Sequence, residues 1–142
     1  AREIRRRDAA LRVVWVGDGE AHYRRMLEAE GVEVTGWVGR QEVRERLLDA
    51  VYMHTAAYEG LPLTLLEAAA ADAPIVARAI PSICDLPIQL ESTPEGLAEA
   101  ACRLARPGPR QSAALRGNVR IRHLHTPERL RESLVRFYGI AA

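Results

Sequence analysis

The chain has 142 residues, 48% of them apolar, and a formal net charge of +1, which is enough for one domain with a real core. No apolar stretch approaches the ~20 residues needed to cross a bilayer, and the opening Ala1-Arg-Glu-Ile-Arg-Arg-Arg-Asp8 does not read as a signal peptide. All 20 basic residues are arginine, so any chemistry that requires a lysine must find it elsewhere. The charge is also uneven, with a net of +7 from Arg103 onward and −6 before it. A basic end can attract anionic lipid or nucleic acid, but arginines spread along two helices read first as a solvated face. Cys84 and Cys102 form no CxxC pair and read as reduced, buried thiols of a cytosolic protein. His123 and His125, with no other ligand type nearby, make a poor metal site.

In chain order, Leu11–Val16 is an apolar run short enough for a buried parallel strand. Glu20–Glu30 has helical spacing at Tyr23, Met26 and Leu27, and Gly31 suits the position just past its end. Val32–Val38 reads as a second strand, and Gln41–Leu48 as a helix with Val43, Leu47 and Leu48 on one face. Ala50–His54 is the next strand, followed by a helix from Pro62 to about Ala71 and a strand over Pro74–Ala77. Pro87–Leu90 is a weaker strand. Thr93-Pro94 and Thr126-Pro127 each set a hydroxyl cap before a first-turn proline, so two more helices start there. Pro107-Gly108-Pro109 breaks the chain between them, and Gly139 ends the last helix, whose Leu130, Leu134, Phe137 and Tyr138 are expected to pack onto the domain. The alternation predicts a single α/β domain over 1–142, a doubly wound parallel sheet flanked by helices. Ligands of such sheets gather at the carboxyl ends of the strands. The turns Gly17-Asp18-Gly19, Gly39-Arg40 and Thr55–Pro62 are therefore expected to line one rim.

The run Tyr58-Glu-Gly-Leu-Pro-Leu-Thr-Leu-Leu-Glu-Ala68 carries the most chemistry. Glu59 and Glu67 stand on either side of a helix start at Pro62. Leu61 has no side-chain oxygen to cap the N–H groups that follow, so the donors of Leu63–Leu65 need partners, at the positive end of the helix dipole. An anion such as a diphosphate would serve, with the carboxylates placed for hydroxyls on either side. A surface helix with Glu67 in solvent is the plain alternative on physics alone. Gly17-Asp18-Gly19 does not make a dinucleotide fingerprint, because the third glycine position holds His22.

Glu59, Gly60, Leu66, Glu67 and Ala68 resemble the E-x7-E signature of retaining glycosyltransferases of the GT-B architecture, glycosyltransferase family 4 or "group 1". The likeness runs along the chain. Leu11–Gly19 looks like the family's strand ending in a G-x-G turn, Val32–Val38 like its strand before the base-binding loop, and Ala73–Ala77 like its strand after the motif helix. Pro81–Leu86 stands in the usual G-G-x-x-E place, while Thr93–Ala98 and Arg136–Tyr138 fit its closing helices.

The resemblance implies the carboxyl-terminal, Rossmann-like half of such an enzyme, binding a UDP- or GDP-linked sugar for retaining hexosyl transfer. Glu59 would hold the sugar hydroxyls, and the backbone of Gly60 and Leu63–Leu65, with the Thr64 hydroxyl, the diphosphate. Glu67 would accept two ribose hydroxyls. Gly17 would allow close approach, and the backbone of Trp37, Val38 and Gly39, with Arg40 nearby, would face the base. Such enzymes usually need no divalent metal or other cofactor. Implied partners are the nucleotide-sugar and the chain's own amino-terminal acceptor-binding domain, with no nucleic acid. The implied setting is surface polysaccharide or lipopolysaccharide assembly in the cytoplasm, at the inner face of the membrane. Any contact with anionic lipid there is expected to be electrostatic, because the large apolar residues of the last helix are assigned to packing.

The chain departs from the pattern in three places. The family's phosphate-clamping Arg and Lys have no counterpart in Ala1–Ala10, and the acceptor half is not seen, so the fragment alone is expected to be inactive. Asp72 stands for the glycine that usually ends the motif helix, and Pro81-Ser82 for a glycine pair. Two rivals remain. Half of a sugar epimerase of the same architecture would share the donor site. A signalling receiver domain would need a lysine, and an aspartate where His54-Thr55 stands.

Overall fold

The computed structural model describes residues 1–139. The elements are α1 (Arg2–Arg7), β1 (Val14–Trp15), α2 (Ala21–Ala29), β2 (Glu33–Val34), α3 (Arg40–Leu47), β3 (Tyr52–His54) and α4 (Leu63–Ala70). They continue as β4 (Ile75–Arg78), a 3₁₀ turn over Pro81–Ile83, β5 (Gln89–Glu91), α5 (Pro94–Leu104), α6 (Pro109–Leu124) and α7 (Pro127–Tyr138). The chain is α/β, and every strand pair is parallel: β1 with β2, and β3–β4–β5 in that order.

The pairing is divided, because among the described residues no backbone hydrogen bond joins β1 to β3. Side chains bring the two parts together instead. Leu11 and Val13, ahead of β1, pack against the same cluster as Val51 and Met53 of the β3 segment. The expected buried strand over Leu11–Val16 is thus reduced to two residues, and Trp15 and Val16 are exposed. The run is apolar without being covered on both faces.

β4 is the centre of the three-stranded sheet and is buried on both sides. Side chains alternate across a strand. Ile75 and Ala77 meet Leu65, Ala68 and Ala69 of α4 and Ile121 of α6, while Val76 meets Ile4 of α1 and the inner face of α5. Helices therefore cover both faces, as a doubly wound sheet requires.

The caps form as local chemistry dictates. Thr93 Oγ1 accepts from the Gly96 N–H at 3.0 Å and Thr126 Oγ1 from the Arg129 N–H at 3.3 Å, each ahead of a first-turn proline. Gly31 (φ +70°) and Gly139 (φ +64°) take the left-handed conformation just past α2 and α7. Asp72 does the same past α4, at φ +56°. The Arg122 guanidinium of α6 bonds both the Asp72 carboxylate and the Ala69 carbonyl, which helps hold this strained end in place.

Several expectations need correction. α1 and α6 are helices that the sequence reading left out, and Pro109 opens α6 rather than only breaking the chain. Tyr23, Met26 and Leu48 are exposed and neither α2 nor α3 buries a residue, although Leu47 of α3 packs against the core. Cys102 is buried but Cys84 is exposed. α7 buries no residue, and Leu130, Leu134, Phe137 and Tyr138 all face outward instead of packing onto the domain. Packing of these residues therefore does not exclude apolar contact by this helix.

α6 sits so close to the segment before β5 that a Cβ on Gly117 would lie 2.1 Å from the Pro87 carbonyl oxygen. Alanine would gain about 1 kcal/mol of helix propensity. The rigid backbone oxygen in its way makes overpacking the dominant effect, at about 1–3 kcal/mol. Gly117→Ala should therefore lower the thermal midpoint, and an unchanged midpoint in a melting curve would show that α6 shifts freely.

Candidate functional site

The site is built where strands end. β1 leads into Gly17, whose φ of +134° and backbone bridge to Gly36 make a turn that few other residues would adopt. Its N–H donates to Thr35 Oγ1 at 3.2 Å. After β2, Trp37 is 85% exposed, Val38 is half-buried, and Gly39 is the extended residue just ahead of α3, with Arg40 its exposed first residue. α3 packs on α4.

After β3 the loop exposes Tyr58 (91%), Glu59 and Gly60, then turns into α4. Pro62 is buried and has an extended ψ of 117°, so it is the residue before the helix and not its first member. This corrects the expected start by one position. Among the described residues the N–H groups of Leu63 and Thr64 have no partner, but the Leu65 N–H donates to the Pro62 carbonyl at 3.0 Å. Leu65 is therefore not an open donor, and its side chain is fully buried in the core. Leu63 is 72% exposed and Thr64 is exposed.

Glu59 and Glu67 form no ion pair or side-chain hydrogen bond among the described residues, and both are exposed, so Glu67 stands in solvent as the plain alternative had it. Glu3, Glu28, Glu33, Glu42, Glu91 and Glu99, by contrast, are each paired with arginine. Both free carboxylates lie within electrostatic reach of one group, the Tyr52 phenol. Burial chiefly pushes that phenol above its usual pKa, and Glu59 and Glu67 add to the rise. Glu59, Glu67 and the open start of α4 thus share one neighbourhood.

Two residues of this neighbourhood escaped the sequence reading. Tyr52 Oη lies 2.6 Å from Thr64 Oγ1 and 3.3 Å from His54 Nδ1. The available signal was a polar aromatic pair two apart in a strand, hence on one face, leading straight into the Glu59 loop.

A depression at the α1–α5 contact, away from this neighbourhood, is lined by Arg7, Arg103 and Arg106. These guanidiniums are already engaged, with Glu3, with Glu91 and Glu99, and with Asp8 respectively. Among the described residues no helix is long and apolar enough to cross a membrane.

Comparison with known families gives a match over most of the chain. The model for glycosyl transferases group 1 covers residues 1–106, from α1 through the end of α5, and so includes all three turns and the whole of α4. No curated protein matches the chain. α6 and α7 lie outside the matched stretch. With three-quarters of its length matched, the chain belongs to the group 1 glycosyl transferases.

Proposed function

We propose that this domain binds the nucleotide-sugar donor of a retaining glycosyl transfer, with the diphosphate at the start of α4. The observation that carries the reading is the pair of N–H groups on Leu63 and Thr64 that are open among the described residues, set in the sequence between two carboxylates that have no ion-pair partner among them. A helix start offers aligned donors and a favourable dipole to an anion. A carboxylate accepts two hydroxyls well. Glu59 then holds the donor sugar, Glu67 the ribose, and the Trp37–Arg40 segment faces the base. Transfer of this type resembles a front-face substitution in which the leaving diphosphate helps deprotonate the acceptor, and the protein supplies position and electrostatics. The acceptor and the domain that holds it belong to the whole protein, with surface polysaccharide assembly at the inner membrane face as the proposed setting.

Binding by this chain should be weak, on the order of millimolar, or ~4 kcal/mol. The open amides and one hydroxyl are few partners for a diphosphate. Titrating UDP and GDP into ¹⁵N-labelled protein should move amide signals of residues 59–67 first. Shifts clustered elsewhere would contradict the placement.

A further inference from the structure

β3 carries two side chains that the donor reading leaves unused. His54 is only 6% exposed, and its Nε2 is buried with no hydrogen-bond partner among the described residues. Its Nδ1 faces Tyr52 Oη, which in turn meets Thr64 Oγ1 on the first turn of α4. The result is a three-membered chain from a sealed imidazole to the mouth of the helix.

Each hydroxyl has a single proton to give, so with the Tyr52 proton used within the chain only two polarisations remain. Running inward, Thr64 donates to Tyr52 and Tyr52 to Nδ1, which puts the imidazole proton on Nε2. Running outward, Nδ1–H donates to Tyr52 and Tyr52 to Thr64, which leaves a lone pair on Nε2. The two states differ in what is stranded in the interior. Among buried backbone groups an N–H without an acceptor is rarer than an acceptor left short of a donor, and the same preference is taken for the imidazole. A doubly protonated ring would strand the same N–H. The phenol itself stays an O–H donor, since burial and the two nearby carboxylates disfavour its ionised form.

We infer that the chain is polarised outward, so that Thr64 presents its hydroxyl proton to a phosphoryl oxygen at the start of α4. The inference rests on the donor reading given above and deepens it. Tyr52 and His54 are positioning residues that act through Thr64. By filling the Thr64 lone pair from behind, they make that hydroxyl a fixed donor. The position then favours an anionic oxygen over a ligand hydroxyl, because both can accept the proton but the bond to the charged oxygen is the stronger.

The test uses the chain as it is, with UDP as probe. Thr64→Val should weaken UDP binding about tenfold, the scale of one hydrogen bond to a charged group, while Thr64→Ser should stay close to the parent. Tyr52→Phe should cost several-fold, and the double variant Tyr52→Phe/Thr64→Val should bind no worse than Thr64→Val alone, because Tyr52 acts only through the hydroxyl already removed. Imidazole ¹⁵N spectra should place the His54 proton on Nδ1. A proton on Nε2, losses that multiply in the double variant, or UDP binding indifferent to Thr64→Val would each overturn this inference and leave the donor site standing. Failure of the parent chain to bind either UDP or GDP would overturn both.

Discussion

Glu59→Ala should lower the turnover of sugar transfer by about 10²–10³-fold, the range seen when a preorganised electrostatic partner of the reacting centre is removed. Glu67→Ala should instead raise the Michaelis constant for the nucleotide-sugar with turnover nearly unchanged. The difference follows from what each carboxylate is proposed to touch. Ribose hydroxyls keep the same contacts in the ground and transition states, so losing them removes uniform binding. The donor sugar changes at its reacting carbon, and Glu59, in the exposed loop before α4, is proposed to fix its approach. The assay needs the acceptor-binding domain that the proposed function assigns to the whole protein. Variants that both changed only the Michaelis constant would refute this division.

Leu65→Ala should be the most destabilising single change in the motif helix. Its side chain is fully buried among Ala68, Ala69, Ile75, Ile83 and Ile121, where alanine leaves a cavity. Leucine-to-alanine changes in such cores cost about 3–5 kcal/mol. That corresponds to a fall of roughly 10–20 °C in the thermal midpoint for a domain of this size. Leu63→Ala, two positions away and exposed, should stay within about 0.5 kcal/mol of the parent. Circular-dichroism melting of the two variants makes the comparison. Similar losses in both would mean that α4 does not sit on the core through Leu65.

The features legible in the sequence were those settled by a few adjacent residues. Thr93-Pro94 and Thr126-Pro127 announced helix starts because the cap and the fixed φ need nothing from the rest of the fold. Gly31 and Gly139 marked helix ends for the same reason. Tertiary partners were not legible. α1 holds a single buried residue, Ile4, in an arginine-rich run, so no apolar period betrays it. α6 is fixed by Ile121, by the close approach of Gly117 to Pro87, and by the bond from Asn118 Nδ2 to the Ala73 carbonyl at 2.8 Å, none visible from local sequence. The periodic Leu130, Leu134, Phe137 and Tyr138 promised packing that the structure does not provide. At the site, the order Glu59, helix start, Glu67 could be read directly, but the loss of the Leu65 donor to Pro62 depends on how tightly the first turn closes. Tyr52 and Thr64 meet across twelve positions, a contact that only the folded β3–α4 crossing creates.

That closed first turn sets a limit on selectivity. With the Leu65 N–H spent on Pro62, α4 has two open amides and one hydroxyl to offer. This is a fit for the free oxygens of one phosphoryl group rather than of two. On the proposed reading, α4 by itself discriminates poorly between nucleotides that differ in phosphate number. The nucleotide released after transfer would also compete with fresh donor on nearly equal terms. Product inhibition is then a property of the scaffold, and clearing the site between turnovers falls to the opening of whatever surface closes over it.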